Sequence, residues 1–154
     1  MFLGILVILA AVAADQFSKF WIDTQLVIDN PIVFNDYFNL IKVWNTGVSF
    51  SMFSDYGDKG VIILSSIAVL FSLLLLYWMY QEKDKWSRVC LGLIIGGAIG
   101  NVIDRVRFGA VLDFLDFHYK AHHWPAFNLA DTFVCIGAFY LIMCEVLVFL
   151  KNRR

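Results

Sequence analysis

Four stretches of this chain are apolar over lengths near the ~20 residues a helix needs to cross a bilayer, and that excludes most folds at once. They run from about Phe2 to Ile22, Val61 to Tyr80, Val89 to Ile103 and Ala130 to Leu150. The third is short and glycine-rich, and the fourth carries Glu145 as its one late charge. With 60% hydrophobic residues in 154 positions, the expected class is an all-α polytopic membrane protein. One domain of four transmembrane helices fills the chain, with cap segments at about 23–60 and 104–129 and no room for a separate soluble unit. Ala10 to Ala14 has the small residues of a signal-peptide cleavage site, yet no basic region precedes it and the apolar pattern continues through Phe20 and Trp21, so a retained helix is expected. Cys90, Cys135 and Cys144 are odd in number, lie inside apolar stretches and have no metal-site spacing, which reads as packing. A net charge of −1 points to no nucleic-acid partner.

Basic residues set the expected orientation. Lys83, Lys85 and Arg88 crowd the short second loop and Lys151, Arg153 and Arg154 the C-terminal tail, whereas the two longer connections are dilute in Lys and Arg. By the positive-inside bias both termini and the short loop are cytoplasmic. The polar end of helix one (Asp15 to Lys19), the end of helix three (Asn101 to Arg105) and the start of helix four (Asn128 to Asp131) then meet at the outer face. From Asn30 to Phe50, Asn-Pro, a β-branched and aromatic run and Asn45-Thr46-Gly47 predict short strands broken by a turn. The aromatic segment from Phe108 to Pro125 suits the headgroup level.

Asp15, Asp104, Asp113 and Asp131 are costly residues in so apolar a chain, and intramembrane carboxylates read as functional by default. Asn128 with Asp131, Asn101 with Asp104, and Asp15 with Ser18 and Lys19 share helix faces. Each group has a plainer reading, a satisfied interhelical hydrogen bond or, for Lys19 and Arg105, snorkelling to the interface. Their arrival at one depth favours a site. Gly96, Gly97 and Gly100 let a helix or an extended peptide approach closely. Two carboxylates held together away from water do not both ionise readily, which suits one to activate water and the other to protonate a leaving amine. Ser18 and Lys19 are adjacent, about 100° apart on a helix, and cannot form a dyad. His118, His122 and His123 lack a zinc-protease pattern or a completing carboxylate, so no metal is expected and interfacial positions are the plainer reading. A proton-coupled transporter would place its carboxylates near the midplane of repeated halves, and a lipid-binding subunit would need no carboxylate pair.

Five ordered blocks resemble the bacterial lipoprotein signal peptidases (signal peptidase II): Asp15-Gln16-Phe17-Ser18-Lys19, Asn45-Thr46-Gly47-Val48-Ser49-Phe50, Gly96 to Arg105, Gly109-Ala110-Val111-Leu112-Asp113-Phe114 and Phe127-Asn128-Leu129-Ala130-Asp131. The family often has two alanines where Val48-Ser49 stands here. The resemblance implies a four-helix inner-membrane aspartic endopeptidase with an outer, periplasmic-side β-cradle and a short outer helical segment. It implies no cofactor, and as partners diacylglyceryl-prolipoprotein signal peptides, cut just before the lipidated cysteine, membrane lipid and globomycin-like inhibitors. Carried over, the catalytic pair is Asp113 and Asp131; Asp15, Lys19, Asn45, Gly47, Asn101, Asp104, Arg105 and Asn128 line or brace the site. Arg105 keeps two readings, bracing Asp104 or lipid phosphate, or lowering the pKa of a catalytic aspartate. Lipid-facing residues of helices two and four under the segment Phe114 to Trp124 are expected to form a side opening.

Overall fold

The computed structural model describes residues 1–28, 30–47 and 57–153. The Val48-Ser49 departure lies outside the described residues. In chain order the elements are α1 (Phe2–Gln25), β1 (Ile32–Asn35), β2 (Phe38–Asn45), α2 (Gly57–Gln81), α3 (Lys85–Phe108), β3 (Val111–Tyr119), β4 (His122–His123) and α4 (Leu129–Asn152). All four helices are long and apolar enough to span a membrane. Among the described residues the remaining structure is one antiparallel sheet in the order β1-β2-β3-β4, with its turns.

α3 is the central post. More than half of its apolar window is buried, against about a fifth or less in the other three. It packs on α1, α4 and α2, whereas α2 has no comparable contact with α1 or α4. Glycine explains the arrangement. Gly92, Gly96 and Gly100 recur every fourth residue and so share one face, where a Cβ would meet the Gly4 carbonyl, Ala11 and the Asp15 carboxylate. Gly97 meets the Ala130 carbonyl of α4. These small residues bring neighbouring helices in, not a peptide, and dispersion at close range holds them.

α3 extends well past the apolar window at Val89–Ile103. Asp84 caps its start, accepting from the Ser87 amide at 2.7 Å. At its other end Asn101, Asp104 and Arg105 lower the hydropathy without interrupting the helix. Gly109, at φ +70°, stops it with its amide on the Arg105 carbonyl at 2.9 Å. The chain then turns into β3, which pairs with β2 through Val43 opposite Asp113 and Asn45 opposite Val111. Ile22 of α1 and Leu26, just past its end, pack on Leu112 and Phe114 of β3, fixing the sheet to the helix ends.

Gly97→Ala tests this post directly. A methyl group there collides with backbone, which cannot rotate away, so a lower melting temperature in detergent is expected, about 1–3 kcal/mol of destabilisation. An unchanged melt would mean that the α3–α4 contact is looser than drawn.

Candidate active site

The start of α4 is built by Asn128 and Asp131. Asn128 Oδ1 accepts from the Asp131 amide at 3.0 Å, and Asp131 Oδ2 accepts from the Asn128 amide at 3.2 Å. This reciprocal capping box satisfies two orphan donors and locks both side chains. Asn128 is fully buried, and its Nδ2 donates to Asp113 Oδ1 at 2.7 Å and to Asn101 Oδ1 at 3.2 Å. Asn101 Nδ2 in turn donates to Asp131 Oδ1 at 2.8 Å. Asp113 Oδ2 accepts from Asn45 Nδ2 at 3.0 Å, its diagonal neighbour across the β2–β3 pair. Three amides thus hold two carboxylates, and each amide oxygen or nitrogen used has a defined role.

Behind this layer lies a buried charge cluster. Lys19, 4% exposed, places its ammonium 2.9 Å from Asp15 Oδ2, 2.8 Å from Asp104 Oδ2 and 2.9 Å from Asn101 Oδ1. Its three donors are all engaged, so the snorkelling reading of Lys19 is wrong. Asp15 Oδ1 accepts from the Ala130 amide at 3.0 Å, joining α1 to the first turn of α4. Gln16, passed over as a site residue from sequence, reaches Asp104 Oδ1 at 2.9 Å and Asp15 Oδ2 and the Gly100 carbonyl at 3.2 Å each. Its signal was available: a residue i+3 before Lys19 shares that face.

Asn45, Gly47, Asn101, Arg105, Asp113 and Asp131 all line one cleft of about 530 Å³, while Asp15, Lys19, Asp104 and Asn128 stand behind its wall. Arg105 does not pair with Asp104. Its guanidinium donates to the Gly47 carbonyl at 3.3 Å, and its buried Nε has no partner among the described residues. The rest of the cleft is Val111, the segment 124–127 and the α4 face of Thr132, Val134, Cys135 and Ile136. α2 supplies no lining residue among those described; among them the side of the opening is formed by α4 and the 124–127 segment. Cys135 is exposed to this cleft, against its expected packing role. Away from it, His123 Nδ1 meets Asp116 Oδ1 at 2.8 Å and stacks on His118. Among the described residues no three His, Cys, Asp or Glu side chains are placed to hold a metal ion.

Burial pushes the Asp113 carboxyl up to about 6, and the nearby Asp131 charge adds to the rise, while the amide donors of Asn45 and Asn128 and the more distant Lys19 charge pull it back. A carboxyl so tuned keeps its proton where ordinary aspartates have lost it. A carboxyl of this kind beside a second carboxylate in the same cleft is an arrangement suited to acid and base chemistry on one substrate.

Residues 7–147 match the family described as Signal peptidase (SPase) II. The chain is similar to a lipoprotein signal peptidase of Anaplasma phagocytophilum, 40% identical over 144 residues that cover 94% of this chain and 92% of the relative. One of Vibrio campbellii is 47% identical over 116 residues, 74% of this chain and 69% of the relative. A solved bacterial membrane enzyme, determined by the in meso method at 2.3 Å, superposes with a TM-score of 0.84 at 28% identity, covering 98% of this chain and 91% of the other. On sequence, fold and the ordered blocks together, the chain belongs to the signal peptidase II family.

Proposed function

We propose that this chain is an aspartic endopeptidase that removes signal peptides from diacylglyceryl-modified prolipoproteins, cutting just before the lipidated cysteine, with Asp113 and Asp131 as its catalytic pair. The observation that carries this reading is the single amide of Asn128, bonded to Asp113 and embedded in the same capping box as Asp131, behind the wall of the one cleft that both aspartates line. Asp113 starts protonated. Asp131, ionised, takes a proton from water as the water oxygen bonds to the scissile carbonyl carbon. The Asp113 hydroxyl steadies the resulting oxyanion, and its proton passes to the amide nitrogen as the C–N bond breaks. Asp131 then holds the proton drawn from water, and exchange with solvent resets the pair. Asn101 and Asn128 orient the carboxylates without adding charge, and Arg105 stands in the cleft wall to meet the peptide backbone.

The basic turn at Lys83, Lys85 and Arg88 lies at the helix ends opposite the cleft, which supports cytoplasmic termini in a bacterial inner membrane and a site toward the outer leaflet, with the sheet as the periplasmic-side cradle. The apolar α4 face below Asp131 then leaves room for acyl chains entering from the lipid. Globomycin-like cyclic peptides are expected to compete in the same cleft.

Purified protein in nanodiscs is expected to cut a diacylglyceryl-modified precursor and to leave the same precursor with a bare cysteine largely intact; failure to cut the lipidated form sinks the proposal. kcat/KM is expected to fall with rising pH on a limb near pH 6, as Asp113 loses the proton it must donate. The Asn45 amide favours the Asp113 anion, so Asn45→Ala makes the carboxyl hold its proton longer and moves the limb to higher pH. A limb that stays in place or moves acidward would show that Asp113 is not the titrating acid.

A further inference from the structure

A second pocket of about 240 Å³ lies at the same end of the spans, between α1 and α3, on the far side of the Lys19 cluster from the cleft. Asp23 on α1 and Arg107 on α3 form opposite walls, Trp44 of β2 lies across it, and Lys19 and Asp104 form its inner wall. Both helices end within two residues of these charged groups, at Gln25 and Phe108, which sets the pocket at the boundary between hydrocarbon and water. Phe20 and Phe108 on its rim are both exposed. Arg107 makes no hydrogen bond or ion pair among the described residues; its guanidinium rests over the Phe108 ring at 4.9 Å. Asp23 binds Lys42 through Oδ1 at 2.8 Å, which leaves Oδ2 open among the described residues.

We propose that this pocket holds the headgroup of a zwitterionic phospholipid of the phosphoethanolamine type, with its phosphate on Arg107 and its ammonium on Asp23. The charges argue for a guest carrying both signs. The inner wall pairs Asp104 with Lys19, whose ammonium Asp15 also holds from behind, so it offers no free positive charge to a purely anionic headgroup, while Arg107 disfavours a purely cationic one. Guanidinium is the better phosphate partner of the two basic side chains, because its planar fork matches two phosphate oxygens. A primary ammonium suits Asp23 better than a quaternary one, because it donates hydrogen bonds. The pocket holds a headgroup and little more, so the acyl chains lie outside along the exposed α1 face at Phe17 and Phe20. A bound headgroup braces Lys19 and Asp104 from behind, and Lys19 holds Asn101 on the catalytic side. The lipid would therefore support the wall of the cleft without entering it.

Native mass spectrometry of the full chain in detergent tests this with no need for peptidase activity. Phosphatidylethanolamine is expected to bind about tenfold more tightly than phosphatidylglycerol or phosphatidylcholine with the same acyl chains, and Arg107→Gln and Asp23→Asn are each expected to erase that preference. Arg107→Lys should restore part of it, and Lys42→Met, which removes the partly buried partner on the other oxygen of Asp23, should keep it. Melting in lipid-free detergent establishes that each variant is folded. Equal binding of the three lipids, an undiminished preference in Arg107→Gln and Asp23→Asn, or its loss in Lys42→Met would overturn the proposal. Soluble glycerophosphoethanolamine, which has the headgroup without chains, is expected to compete only at far higher concentration; equal potency would reassign the pocket to a soluble phosphoamine.

Discussion

Asp113→Asn and Asp131→Asn are each expected to lower kcat by about 10³-fold or more while precursor binding is retained. Asparagine keeps the shape of aspartate but neither takes a proton from water nor delivers one to an amine. Each substitution also places one amide nitrogen where two donors already converge, from Asn45 and Asn128 at position 113 and from Asn101 and the Asn128 backbone at position 131. One hydrogen bond is thereby lost, about 1 kcal/mol, too little to unfold the protein. Folding is checked by melting, binding by precursor capture and turnover by release of the signal peptide. Asp104→Asn is the informative comparison. Asp104 lies behind the wall with Lys19 and Gln16 and does not line the cleft, so its loss is expected to cost stability first. Cleavage that survives Asp113→Asn and vanishes in a folded Asp104→Asn protein would move the chemistry to Asp104.

Much of this site was legible because membrane solvation makes polar residues conspicuous. Asp15, Lys19, Asn101, Asp104, Asn128 and Asp131 stood out against apolar surroundings, and helical spacing joined Asn128 to Asp131 and Asp15 to Lys19 as the structure does, but it paired Asn101 with Asp104, which the structure separates. The strand at 38–45 was legible from its β-branched and aromatic residues and from the Asn-Thr-Gly that follows it, whereas the turn at Asp36-Tyr37 that pairs it with β1 was not. What stayed hidden depends on partners distant in sequence. Arg105 follows Asp104 directly, so pairing seemed natural, but consecutive helical residues point apart and the Arg105 side chain turns to Gly47 instead. Cys135 is one apolar residue among many until α4 takes its azimuth against α3. The third helix was read short because Asn101, Asp104 and Arg105 lower hydropathy, although Asn101 and Asp104 find partners on neighbouring helices, Arg105 reaches Gly47, and all three leave the backbone ladder intact. α2 was expected beside the opening because apolarity says that a helix meets lipid, not which helix it meets.

The cluster behind the dyad separates charge from position. Lys19→Met is expected to destabilise the protein by about 3–5 kcal/mol, since it leaves the buried carboxylates of Asp15 and Asp104 with no counter-charge and replaces three hydrogen bonds with none. Thermal unfolding in detergent reads that loss. Adding Asp104→Asn removes one stranded carboxylate and is expected to recover much of the melting temperature. It does not restore the donor that Lys19 gives to the Asn101 oxygen, leaving only the longer contact from Asn128, 3.2 Å, to hold that amide with its nitrogen toward Asp131. The double variant is therefore expected to be stable and slow, with kcat lowered and KM for the precursor little changed, because in the proposed mechanism Asn101 orients the base. If full turnover returned together with stability, Lys19 would serve charge balance alone. A Lys19→Met protein as stable as the parent would mean that the carboxylates behind the dyad do not need the ammonium between them.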